Sequence, residues 1–178
     1  TQLKCANSTD GSATAFATGG KAPYSYKWSN GGNTETITNL GAGVYTVTAT
    51  DSNGCTATSF ITIGAPNPIV ISLDKVNISC FGAKDGMITA NITGGTLPVD
   101  LLWNTGAITN KISNLSQGIY TITATDANKC IATTSTSIIE PTELNVSIYK
   151  KDPLCNNGTD GELKATVSGG TSPYVYKW

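Results

Sequence analysis

The sequence is 178 residues long, room for one or two ordinary domains, and its formal net charge of -1 is set by acids against lysines alone, because Arg and His are both absent. Without Arg there is no bidentate fork for phosphate or base edges, and without His no side chain titrates unperturbed near neutrality, so electrostatic attraction to nucleic acid or to an anionic membrane has no source. Charged residues make up 13% of the chain against about 25% in ordinary soluble proteins, with Thr, Ser, Asn and Gly in their place, which is the composition of an all-β protein.

In chain order, Cys5 opens a polar stretch that ends at Asp10-Gly11. A strand is predicted from about Ser12 to Thr18, where Ala15 and Ala17 alternate with polar neighbours, and Gly19-Gly20 stops it. Pro23 leads Tyr24-Ser-Tyr-Lys-Trp28, a second strand whose period of two puts Tyr24, Tyr26 and Trp28 on one face, with Trp28 as core anchor. Asn30-Gly-Gly32 is a turn, and Thr34 to Leu40 is a third alternating run carrying Ile37. Tyr45, just after Leu40-Gly-Ala-Gly-Val44, fits a tyrosine corner, in which a Tyr near the start of a strand bonds back to backbone upstream. Aromatic and β-branched residues then alternate with small ones to Thr50, and Asp51-Ser-Asn-Gly54 turns the chain back into a return strand from Cys55 to Ile63. Prolines in Ala65-Pro-Asn-Pro68 deny donors to a sheet ladder and stiffen the segment, making it a boundary. Ile69 to Val76 is the next strand, with Ile69, Ile71 and Leu73 on one side.

Everything after this boundary repeats at a spacing of 75 residues without insertion or deletion. Cys5, Cys80 and Cys155 are in register, as are Asp10, Asp85 and Asp160, Trp28, Trp103 and Trp178, Tyr45 and Tyr120, and Cys55 and Cys130. The reading is therefore tandem immunoglobulin-like β-sandwich repeats of six or seven strands: 1–65 as a first repeat without its opening strand, 69–140 as a complete second, and 144–178 as a truncated third. The linkers are 65–68 and 140–143. No run of about 18 apolar residues could span a bilayer and no leader pattern opens the chain, so a mature segment of a longer repeating protein is expected.

The combination Gly-Gly-x-x-Pro-Tyr-x-Tyr-x-Trp (19–28), Ile-Thr-Asn-Leu-x-x-Gly-x-Tyr-Thr-Val-Thr (37–48) and Asp-x-Asn-Gly-Cys (51–55) resembles the SprB repeat. Departures are modest: Leu97-Pro-Val-Asp-Leu-Leu-Trp103 lacks the aromatics before Trp, and Lys129 replaces the turn Gly. The resemblance implies a repeat of very long surface adhesins of gliding bacteria, exported by type IX secretion and carried by the gliding motor. It implies no catalytic residues.

The five cysteines follow the period and sit at strand ends beside turns, which favours disulfides and an oxidising, extracellular setting over buried thiols. The expected bridges are Cys5 to Cys55 and Cys80 to Cys130, each contributing roughly 4 kcal/mol through loop closure. Pairing across the linker, Cys55 to Cys80 and Cys130 to Cys155, satisfies the same count, and connectivity is not fixed by sequence. No C-x-x-C pair and no His supports a zinc site.

Asp10, Asp51, Asp85, Asp126 and Asp160 are candidate calcium ligands, but isolated acids beside Gly or Asn fit turn formation better than a cluster of six to eight oxygens. Tyr24, Tyr26 and Trp28 are a candidate sugar-stacking platform, and equally a core face; Val99 stands where Tyr24 and Tyr174 stand in the other repeats. Sequons at Asn77, Asn91 and Asn114 are expected by chance in so Asn- and Thr-rich a chain. No cofactor is implied and no carboxylate pair converges for catalysis. The expectation is a structural and adhesive segment of a filamentous surface adhesin, its partners being neighbouring repeats, the gliding or secretion machinery and a surface polysaccharide, with no nucleic acid and no membrane insertion. The alternative is a carbohydrate-binding or spacer module of a secreted polysaccharide-degrading enzyme; a weaker third reading is a segment held by the secretion or motility machinery.

Overall fold

The computed structural model describes residues 1–178 and contains thirteen β-strands and no helix. In the first repeat these are β1 (Gly11–Thr14), β2 (Ser25–Trp28), β3 (Thr36–Leu40), β4 (Gly43–Thr50) and β5 (Thr56–Ile63). The second repeat contains β6 (Val70–Val76), β7 (Gly86–Thr93), β8 (Val99–Trp103), β9 (Lys111–Leu115), β10 (Gly118–Asp126) and β11 (Ile131–Ile138). The third repeat contributes β12 (Asn145–Lys151) and β13 (Glu162–Ser168). In the second repeat one sheet runs β6-β7-β9 and the other β8-β10-β11. That is the ABE and CFG arrangement of an immunoglobulin-like sandwich without its D strand. The first repeat has β1-β3 and β2-β4-β5, which are the same sheets lacking strand A.

The core follows from the period-two pattern. In β7, Gly86, Ile88 and Ala90 point in, and in β10 Ile122, Ala124 and Asp126 do. Leu3, Ala13, Trp28, Ile37, Leu40, Val47 and Ile63 form one buried cluster in the first repeat. Their counterparts 75 residues on, Ile78, Ile88, Trp103, Ile112, Leu115, Ile122 and Ile138, are all buried too. Each large aliphatic removed from water contributes about 1.5–3 kcal/mol, and seven matched positions make the sequence period a period of packing. The recurring Asp-Gly pair has a sheet role: β1 and β7 shift register just after Gly11 and Gly86, where an added Cβ would lie 2.8 Å from the carbonyl oxygen of Leu40 or Leu115.

The strand expected over Ser12–Thr18 is shorter, ending at Thr14. β7, its counterpart, runs to Thr93 with β6 along its other edge, whereas β1 pairs only with β3. An edge with no ladder on one side holds fewer residues extended.

Tyr45 and Tyr120 donate their hydroxyls to the carbonyls of Gly41 and Ser116, at 3.1 and 2.9 Å, at the start of β4 and β10. Each closes the corner between one sheet and the other. Tyr120→Phe is expected to destabilise by about 1 kcal/mol, the net worth of one hydrogen bond. Guanidinium melts of the two proteins check this, and coincident midpoints would show that the hydroxyl contributes nothing.

By internal contacts the chain resolves into two compact units that do not follow the sequence repeats. One comprises Thr1–Val70, Ile92–Asp100 and Ala124–Ala132, the other Ile71–Asn91, Leu101–Thr123 and Thr133–Trp178.

Candidate functional site

The feature of greatest consequence lies inside the first unit: a disulfide joins Cys5, in the loop before β1, to Cys130, in the turn between β10 and β11, with a Cα–Cα distance of 5.6 Å and a sequence separation of 125. Cys55, Cys80 and Cys155 are free and exposed. Neither Cys5–Cys55 with Cys80–Cys130 nor the alternative across the linker is formed; for the pairing within a repeat, strand direction is the reason. Gly11 lies opposite Leu40, just before β4 begins, and Leu3 N donates to Gly64 O just past the end of β5. The loop of Cys5 is therefore at the end of the repeat where β4 starts and β5 finishes. Cys55 is at the opposite end, where Thr50 pairs with Thr56 across the hairpin. The eight residues of β4 span that distance, and at about 3.3 Å each they put the two cysteines roughly 26 Å apart. A disulfide needs Cα atoms within about 7 Å, so the pairing within one repeat is out of reach.

The hairpin that reaches Cys5 is held by polar contacts as well. The Asn128 side-chain amide donates to Lys4 O and to Thr96 Oγ1, both at 3.1 Å. Gly95 N donates to Asn67 O at 3.0 Å in the linker. Beside it, Gly94 has φ 71°, and a Cβ there would lie 2.0 Å from Pro68 O, so only glycine permits this crossing. Residue identity gave no sign of these contacts, because Asn53 and Asn128 occupy the same place in the repeat and only Asn128 reaches Lys4.

The acids read as candidate calcium ligands are committed to backbone amides. The Asp126 carboxylate, 2% exposed, accepts from Thr96 N at 3.0 Å and from Asn128 N and Cys130 N at 2.9 Å. Asp51 accepts in the same way from Lys21, Asn53 and Cys55. Asp10, Asp85 and Asp160 accept from the amide six residues earlier, at Lys4, Ser79 and Leu154. The structure does not bring these acids together as a cluster of three or more ligating groups.

These bonds hold the carboxyls of four acids below the ordinary value of 3.8: the Thr96 amide chiefly for Asp126, the Lys21 amide for Asp51, and the hydroxyls of Ser8 and Ser79 for Asp10 and Asp85. A carboxyl depressed in the folded state binds fewer protons than in the unfolded chain, so its contribution is present above about pH 4 and is lost as pH falls through the folded value. Stability is therefore expected to be flat from pH 5 to 7 and to fall below pH 4. Asp126→Asn should make that acid-side fall shallower in denaturant midpoints taken between pH 2 and 7; an unchanged slope would remove Asp126 from the linkage.

The aromatic positions divide by burial. Trp28 is 3% exposed and Trp103 1%, and each indole donates to a carbonyl, Thr34 O at 2.9 Å and Thr109 O at 2.8 Å. Tyr24 and Tyr26 are half-buried, Tyr26 packing on the core cluster, so the three do not form an open stacking platform. Phe16 and Phe60, which the sequence reading did not single out, are exposed and line one groove of the first unit.

A family model described as the SprB repeat matches three segments, residues 1–33, 72–108 and 148–178. Each match covers the part of a repeat that leads to its Trp; the tyrosine corners and hairpins lie outside. No curated protein sequence matches the chain significantly. Among solved structures, an amphioxus IgVJ-C2 molecule is similar at 16% identity over 74% of this chain and 97% of its own, with a TM-score of 0.32, too low to argue from. The immunoglobulin-like reading rests instead on the strand order and tyrosine corners above. With three matches that fall at the sequence period and cover more than half of its residues, the chain belongs to the SprB repeat family, as a repeat segment of a surface adhesin-like protein.

Proposed function

We propose that this chain is a structural and adhesive stalk segment of a large filamentous cell-surface adhesin that serves bacterial gliding motility and surface attachment. The observation that carries the reading is the repetition of the whole core at 75 residues in a family of surface repeats, with Trp28 and Trp103 spent on packing. Its surface strands are rich in Thr and Ser: Thr48 faces Thr58 and Thr123 faces Thr133 through paired hydroxyls. A disulfide supports an extracellular setting, since such bonds persist where the medium is oxidising. Neighbouring repeats of the parent chain are the first partners in this reading, and the type IX secretion and gliding machinery the second. Outer-membrane association belongs to other parts of the parent.

The test is to label these repeats with a specific antibody on gliding cells that display the parent protein. Labelled sites that travel along the cell support the motility role; sites that stay still refute it. The exposed pair Phe16 and Phe60 favours a second reading, a carbohydrate-binding module of a secreted polysaccharide-degrading enzyme. Retention of the chain on insoluble polysaccharide, abolished by Phe16→Ala with Phe60→Ala, would replace the stalk by that module.

A further inference from the structure

The contacts that frame the Cys5–Cys130 bridge occur a second time, inside the second unit, around a cysteine that is free. Leu3 N donates to Gly64 O at 3.2 Å; 75 residues on, Ile78 N donates to Ile139 O at 3.1 Å. Ser8 N donates to Cys5 O at 3.2 Å, and Ala83 N to Cys80 O at 3.0 Å. Gly95 N donates to Asn67 O at 3.0 Å, and Gly170 N to Thr142 O at 2.8 Å. A Cβ on Gly94 would meet Pro68 O at 2.0 Å, and one on Gly169 would meet Glu143 O at 1.9 Å. The loop that carries the cysteine, the linker and the Gly-Gly crossing are thus built alike in both places.

What differs is the hairpin. Around the first cysteine one wall of the groove is made by Asp126, Lys129, Cys130 and Ile131, and Cys5, Ala6 and Ile69 are half-buried. Around the second, a groove with Cys80, Phe81, Pro141 and Leu144 on its wall has no such hairpin, and Cys80, Phe81 and Leu144 are exposed. Phe81 is 57% exposed and Leu144 59%, an apolar cost that a docked turn would remove.

We propose that the Cys80 groove is the acceptor site for the β-hairpin turn of a complete following repeat, and that Cys80 forms with the cysteine of that turn the same covalent clasp that Cys5 forms with Cys130. The rule is directional: the opening-loop cysteine of one repeat bonds the hairpin cysteine of the next. Cys55, a hairpin cysteine, is then the half that receives an opening loop from a preceding repeat, and Cys155 an opening-loop cysteine like Cys80. In the bond-forming step, two thiols become one disulfide and release two protons and two electrons; a low-molecular-weight disulfide such as oxidised glutathione takes them up and leaves as two thiols. The proposal concerns covalent register and does not depend on adhesion or gliding.

The test extends the full chain by appending a second copy of residues 104–140 directly after Trp178, which completes the third repeat in register and supplies one hairpin cysteine. A second chimera appends residues 29–65 instead, so that folding of one appended sequence does not decide the outcome. Both are oxidised in glutathione buffer, alkylated without reduction and mapped by peptide mass, with Cys5–Cys130 in the same digest as internal control. The expected result in at least one chimera is a peptide joining Cys80 to the appended cysteine, with Cys55 and Cys155 alkylated. A bridge from Cys155 to the appended cysteine overturns the proposal, as does a Cys80 that is alkylated in both chimeras.

Discussion

Replacing Cys130 by serine is expected to destabilise the first compact unit by about 5 kcal/mol, the loop-closure value for 125 residues, whereas Cys55→Ser should leave stability within about 0.5 kcal/mol of the parent. The bridge ties a loop of the first repeat to a turn of the second, so its main effect is on the unfolded chain: it forbids the conformations in which residues 5 and 130 are far apart. Serine keeps the size and the turn, and Asn128 keeps its bonds to Lys4 and Thr96, so the loss isolates the covalent link. Cys55 has the same place in its own hairpin but no sulfur partner. Denaturation in guanidinium, with dithiothreitol as a second route to the same state, reads both variants. If Cys55→Ser costs as much as Cys130→Ser, the bond lies within the repeat and the directional clasp is wrong.

The contrast shows where sequence was a sufficient guide and where it was not. Most strands and turns, and the buried Trp28 and Trp103, follow from residue pattern, because period-two burial is a local property that Val47 and Ile122 each display among their own neighbours; Leu3 and Ile78, buried outside any strand, do not. Cys55 and Cys130 are alike by every local measure, and so are Asn53 and Asn128. Their fates differ because a bond is decided by which ends of which strands meet, and that depends on strand direction and on the path of the linker. The directions were available in principle: once 36–40 and 43–50 are accepted as successive strands E and F of a sandwich, the start of strand B and the end of strand F fall at opposite ends. The crossing of Gly94 beneath Pro68 was not available, since a Gly-Gly pair after a strand reads as a turn whether or not another segment passes over it. Burial of Asp126 at 2% follows from the same assembly of non-local pieces.

Trp103→Ala is expected to cost about 3–5 kcal/mol, the range for deleting a large buried aromatic, and Trp178→Ala no more than about 0.5 kcal/mol. Both residues hold the same position in the repeat, so local sequence assigns them one role. Trp103 is 1% exposed, its indole satisfied by Thr109 O, and it belongs with the buried set that includes Ile112, Ile122 and Ile138. Trp178 is 74% exposed and stands outside any buried set. Removing Trp103 leaves a cavity between sheets only three strands wide and takes away the indole's bond to Thr109 O. Removing Trp178 takes away surface that water already touches. Guanidinium midpoints of the two variants measure the difference directly. Equal costs would mean that the tryptophan stabilises through its own strand alone, and the packing account of the 75-residue period would have to be given up.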